Sequence, residues 1–347
     1  MFVERFVNQQ GLGDPLWLRS LRFAVSVLVP PGVCWTLNYD QGIVFALVPA
    51  IACFSCDPGG PPLPRLIWTA AGAIAFAAGN IIGGFVPNGA ESAALFALAG
   101  AVYAFSESSH QLVVTIARFL CFGLTIGAFY AHANLTEIAI IGAVIVFVFL
   151  ISLAADLLRG GLRDSTAPTL RVILDGIEAR ETERLVFAAS AAIAVALAYA
   201  AATTFQFMRP YWSFIALVLV LRLDFMSSWN LVIQRIAGTI CGVVAAGLVV
   251  VIFSSHAAQA GAMLVAALLR WPAQQRHNLL GVAALTAFVM LLIDLAAGSR
   301  QEALLFLGAR VVDTIIGCLF ALIALCLTWT AMMVIRRSGG GHTAEGG

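Results

Sequence analysis

The chain has 347 residues, 61% of them hydrophobic and only 11% charged, with 19 basic and 18 acidic side chains for a net charge of +1. Soluble globular domains carry about 25% charged residues, so this composition describes a polytopic membrane protein. A near-neutral balance excludes nucleic acid as a partner, which needs a basic face.

Residues 1–19 read as a cytoplasmic lead-in. Glu4, Arg5 and Asp14 break any apolar core there, so no cleavable signal is expected. Apolar runs then predict helices at about 20–37, 41–56, 64–85, 90–105, 111–130 and 135–158, a first six-helix membrane unit spanning 20–158. Pro30-Pro31-Gly32 should kink the first of these. Residues 159–183 form a cytoplasmic connector. After Pro168 its charges interleave with Leu170, Val172, Ile173 and Ile177, the pattern of a short amphipathic surface helix. A second six-helix unit spans 184–335, with helices at about 184–205, 210–223, 233–254, 257–271, 279–298 and 303–335. The tail, 336–347, is flexible by composition.

Crossing ~30 Å of hydrocarbon takes ~20 helical residues. The second and fourth helices of each half offer about 14 to 16 by this reading and must be tilted, broken or sheltered. Short segments at matching positions of two halves point to a transporter's binding site. With both termini cytoplasmic, fifteen of the 19 arginines fall at the inner side or at inner helix ends. Arg209 and Arg300 fall outside, and Arg118 and Arg310 lie within helices. The chain has no lysine. That asymmetry sets the orientation.

The halves also resemble each other. When the second is laid on the first at one constant offset, Arg235, Thr239, Gly242 and Ala245 fall on Arg65, Thr69, Gly72 and Ala75, and Ala216-Leu217-Val218 falls on Ala46-Leu47-Val48. Such self-similarity predicts a duplicated unit. Six helices per half is an even number, so the two repeats are parallel. A third R-x-x-x-T-x-x-G occurs at Arg310, Thr314 and Gly317. Gly238 and Gly242 form G-x-x-x-G, which admits close approach of a neighbouring helix. Around them the stretch 209–242 reads as a helix from Pro210 to Leu221, a charged turn with Arg222 and Asp224, and a second helix opening at Arg235. Tyr211 and Trp212 stand where an apolar segment begins, the position of interface-anchoring rings or of a platform for an aromatic ligand.

The Tyr211-Trp212 start, the segment QRIAGTICG from 234 and the segment ARVVDTIIG from 309 resemble the FUSC family of fusaric-acid-resistance and aromatic-acid-exporter proteins, over roughly residues 20–335. The resemblance implies a secondary exporter of aromatic or other organic carboxylates in a bacterial inner membrane. Family members often work with a periplasmic membrane-fusion adaptor. Long members carry a large cytosolic domain between the halves, where this chain has only the connector 159–183. The family is also similar to plant malate channels, so a passive organic-anion channel is the alternative, and a non-transporting membrane scaffold or envelope-assembly protein is another. The partners on this reading are the lipid bilayer, a small organic anion, the adaptor and a further copy of the chain. No cofactor is implied.

No H-E-x-x-H, G-x-x-x-x-G-K or G-x-S-x-G occurs, so the sequence predicts neither an enzyme nor an ATP-driven pump. Cys53 and Cys56 form one C-x-x-C without the second pair that a metal site needs. Seven cysteines, mostly within apolar runs, give no disulfide framework. Charges inside the spans remain, and in hydrocarbon they normally face a cavity or a partner. Arg118 lies ~10 Å into the fifth helix at 1.5 Å per residue, and Arg310 lies at similar depth in the twelfth. Either could hold a carboxylate bidentately, and Trp212 and Tyr211 could stack on an aromatic ring of the substrate. Asp313, one turn beyond Arg310, and Asp294, near the outer end of the eleventh helix, could couple transport to protons. Alternatively, Arg310 and Asp313 neutralise each other on one helix face.

Overall fold

The computed structural model describes residues 15–85, 89–178, 181–205, 209–253, 255–296 and 300–339. Among these residues every regular element is an α-helix. The first group is α1 (Leu16–Thr36), α2 (Asp40–Ser55), α3 (Pro62–Phe85), α4 (Ala90–Ser106), α5 (Gln111–Phe129) and α6 (Leu135–Leu158). The connector holds α7 (Leu170–Glu178), the expected short surface helix, with Leu170, Val172 and Leu174 exposed along it. The second group is α8 (Glu181–Thr204), α9 (Pro210–Val220), α10 (Phe225–Ile252), α11 (His256–Arg276), α12 (Asn278–Ala296) and α13 (Arg300–Gly339).

Several starts are fixed by side-chain caps, which satisfy backbone donors that the helix leaves open. Asn134 and Glu137 form a reciprocal capping box on α6, and Ser255 caps α11. Three expected boundaries need correction. The polar stretch after Asp224 is helical: the Asp224 carboxylate accepts from Ser227 N at 2.8 Å, so α10 opens at Phe225 and Arg235 lies well inside it rather than at its mouth. The helix α11 continues through Pro272 to Arg276, giving 21 residues where a short segment was expected. Likewise α1 begins at Leu16, inside the expected lead-in, and runs through Pro30 and Pro31.

Among the described residues, six helices are long and apolar enough to cross a bilayer: α3, α5, α6, α8, α10 and α13. The apolar helices α2, α4, α9 and α12 are shorter. Large side chains such as Leu98, Leu150, Val244 and Leu319 lie exposed on this apolar bundle, as lipid-facing residues do. The chain is a membrane protein.

Equivalent helices of the two groups make equivalent neighbours. The pairs α3–α5 and α10–α12 pack closely, as do α2–α6 and α9–α13, and α1–α6 and α8–α13. Across the groups, α4 packs on α8 and α11 on α1. Small residues permit the tightest of these contacts. A Cβ added at Gly238 would lie 2.8 Å from the Leu279 carbonyl oxygen, and one at Gly242 would lie 2.5 Å from that of Ala283. In the first group, Gly79 and Gly83 meet the α5 backbone, while Gly123 and Gly127 meet that of α3.

Candidate functional site

The short helix α9 is pressed onto α13 because Gly317 offers no side chain to the Ser213 carbonyl. That approach sets the opening of α9 beside the first turns of α13. The Arg310 guanidinium lies over the Trp212 ring, 3.9 Å from its centroid, a cation–π contact that strengthens away from water. Arg310 is buried, and its Nε and Nη1 have no hydrogen-bond partner. Asp313, equally buried, accepts a long 3.5 Å hydrogen bond from the Ser213 hydroxyl through Oδ1, while Oδ2 has no partner. Arg310 and Asp313 are within electrostatic reach of each other, but no hydrogen bond or close ion pair joins them among the described residues. Thr314 bonds back to the Arg310 carbonyl at 2.8 Å and is absorbed in its own helix.

Tyr211 and Trp212 are thus not free rings at the end of a span. Tyr211 is buried, accepts a 3.0 Å hydrogen bond from Arg209 Nη1 and packs on Trp212 with centroids 5.2 Å apart. Its other neighbour is Tyr130, at 5.7 Å. Tyr130 lines a cavity of about 440 Å³ with Gln41, Ala131, His132 and Asn134, at the end of the bundle that holds the α1–α2 and α5–α6 loops. The aromatic chain Tyr130–Tyr211–Trp212 therefore leads from this cavity to Arg310.

Arg118 belongs to a separate neighbourhood. It is half-buried, its Nη2 reaches the Tyr103 hydroxyl at 3.4 Å, and its Nε has no partner. Tyr103 donates to the Leu221 carbonyl at 3.3 Å, and Glu107 pairs with Arg222, joining α4 to the turn before α10 at the opposite end of the bundle. No contact joins Arg118 to Arg310 among the described residues. Asp294 lies on α12, and its side chain is outside the described residues.

Two features were not foreseen. One is the setting of Arg235, a motif residue that the early start of α10 carries into the bundle. It is buried with no partner for Nε, and Cys318 on α13 lies within electrostatic reach of both it and Arg310. The other is a closed ion cluster at the opposite end. Arg65 donates to both oxygens of Asp57, at 2.7 and 2.8 Å, and to Asp156 at 2.6 Å. Arg163 bonds the same two carboxylates at 2.8 Å each, and Arg22 reaches Asp57 at 3.1 Å. All are almost fully buried. The cluster ties the connector to the α2–α3 loop, with Thr166 N donating to the Pro58 carbonyl and Gly60 N to that of Arg163. The only sequence cue was three arginines gathered at one membrane side.

Neither a curated protein nor a solved structure matches the chain. Residues 189–324 match the model of a family described as fusaric acid resistance protein-like. That segment holds α9 to α12 whole with most of α8 and part of α13, and it includes the Trp212, Arg235 and Arg310 positions. Through this second helix group the chain is similar to the fusaric acid resistance protein-like family.

Proposed function

We propose that the chain is a secondary transporter that exports aromatic or other organic carboxylates across a bacterial inner membrane. It does so as twelve transmembrane helices in two parallel six-helix repeats, with both termini cytoplasmic. The observation that carries this reading is Arg310: a buried guanidinium stacked on Trp212, with two N–H-bearing nitrogens unpartnered and, among the described residues, no carboxylate bonded to it. A buried cation of this kind is strongly unfavourable without a counter-ion, and a carboxylate is the planar group that its fork fits. The indole beside it suits an aromatic substrate. Asp313, with one oxygen free, is the proton-coupling group, as far as the described side chains go. The equivalent neighbours in the two helix groups support the repeat. The cavity at Tyr130 opens outward on this orientation, where an adaptor would receive the substrate.

Transport of labelled 4-hydroxybenzoate into inverted vesicles tests the reading. Accumulation is expected to require an acid interior and to fall by about 100-fold or more in Arg310→Gln, the effect of losing a charge-assisted bidentate contact, at unchanged protein level. Equilibration that ignores the gradient would instead describe a passive channel. No flux of this acid or of malate would leave the scaffold reading.

A further inference from the structure

The unpartnered charge does not stop at Arg310. On α11, Arg270 stacks over the Phe23 and Trp271 rings at 4.8 and 4.6 Å, and its buried Nε has no hydrogen-bond partner. The Trp271 indole Nε1 is also buried and unpartnered. Arg19, from α1, lies over the same indole at 3.8 Å. Phe23, Phe54 and Trp271 form one aromatic basket, with centroids 5.1 to 6.2 Å apart, where α1 and α2 meet α11. Arg235 lies within electrostatic reach of both Arg270 and Arg310. No carboxylate bonds Arg235 or Arg270 among the described residues. A run of arginines therefore passes from α1 and α11 at one end of the bundle, through Arg235, to Arg310 and Arg209 at the other.

Each buried N–H left without a partner is costly, more so when the group is charged. Two such donors lie at this basket, Arg270 Nε and Trp271 Nε1, and a third, Arg235 Nε, lies within electrostatic reach of Arg270. We propose that Arg235, Arg270 and Trp271 form a second anion-binding station, which takes an aromatic carboxylate from the cytosolic side and hands it to the Arg310 site. This rests on the export reading for its direction, while the station itself is a binding site and is tested as one. The carboxylate would bond the guanidinium and indole N–H groups, and the ring would lie against Phe23 and Phe54. Arg19 and Arg270, stacked on the indole, are already ordered, so little rotamer freedom is lost on binding.

Each station holds one tryptophan, which makes the two separable. The probe is 4-nitrobenzoate, a carboxylate that quenches indole emission, titrated into the purified full chain at low salt. The quench lost in Trp271→Phe reports the second station, and the quench lost in Trp212→Phe reports the Arg310 site. Arg235→Gln and Arg270→Gln are expected to raise the half-saturation of the Trp271 component about tenfold or more, and to leave that of the Trp212 component within about threefold. Arg310→Gln should do the reverse. One half-saturation that moves only with Arg310→Gln would overturn the proposal, since both rings would then report a single site. Should the glutamine variants fail to fold, the unmodified protein decides: neutral 4-nitrobenzamide must bind the Trp271 component about tenfold more weakly than 4-nitrobenzoate, and equal binding sinks the station. Saturable quenching of Trp271 in a chain that moves no acid in vesicles would leave the station standing and remove the export reading.

Discussion

Arg65 and Arg235 hold the same position in two copies of one motif, one in each helix group, and the fold treats them in opposite ways. Both are buried, and both are followed four positions on by a buried threonine whose hydroxyl has no partner. Arg65 commits all three nitrogens to Asp57 and Asp156. At the positions equivalent to those aspartates in the second copy the chain has Ser227 and Cys326, and Arg235 has no carboxylate bonded to it. Removing one member of a buried ion cluster leaves charge stranded in low dielectric, so pairing of the first kind holds a fold together. A guanidinium without its counter-charge gains from any anion that can reach it. The first group carries its anions in the chain, and the second supplies none to Arg235 among the described residues.

The largest effect that would break this contrast is on stability. Asp156→Asn leaves Arg65 and Arg163 short of a carboxylate, at a cost of about 3–5 kcal/mol, a large part of a typical fold's margin. The detergent-solubilised protein is expected to lose most of its monodisperse peak on mild heating. Arg235→Gln removes a charge that no carboxylate balances, and should hold or raise the midpoint. Equal losses in both variants would mean that Arg235 is structural after all.

A second substitution sharpens the contrast by supplying what the second group lacks. Cys318 is buried within electrostatic reach of Arg235 and Arg310. Cys318→Asp would place a carboxylate there, and the protein should melt higher while binding 4-nitrobenzoate about tenfold or more weakly, since the site is then filled from within. Cys318→Ala is the control and should change binding little. A Cys318→Asp protein that binds as before would show that a carboxylate at this position reaches neither arginine closely enough to replace an anion from solution.

The helices were legible because they rest on local pattern, apolar runs above all. Partnerships were less legible in proportion to the sequence distance they span. Asp57 meets Arg163 across 106 residues and Arg65 meets Asp156 across 91, and nothing in either segment names the other. Arg310 was marked as a charge in an apolar span, but its seat on Trp212, contributed by another helix, put an expected belt ring into the site. Arg235 was misplaced for a different reason. Ser227, Ser228 and Asn230 look like loop residues, although Asp224 just before them is an N-cap signal. One capped turn moved this arginine from the helix mouth into the bundle.

The smallest effect concerns acid. Asp57 lies in the loop between α2 and α3, beyond the apolar spans. Burial alone would push its carboxyl up, but the hydrogen bonds from Arg65 and the charges of Arg22, Arg163 and Arg65 outweigh that and hold it well below the usual carboxylate range. A group held more acidic in the folded state adds stability that is complete above its unfolded value, about 3.9, and fades as pH falls towards the folded one. The Asp57 contribution should therefore be flat from pH 8 down to about 5 and shrink only below about 4. Other carboxylates titrate there too, so the useful quantity is the difference in melting midpoint between the unmodified protein and Asp57→Asn. That gap should stay constant near neutrality and narrow at the acid end. The counterpart in the second group has no such carboxylate, so Arg235→Gln should show a difference that does not vary with pH across the same range. A gap for Asp57→Asn that widened with acid would reverse the sign of the linkage and remove the cluster from its place as the pinned half of the comparison.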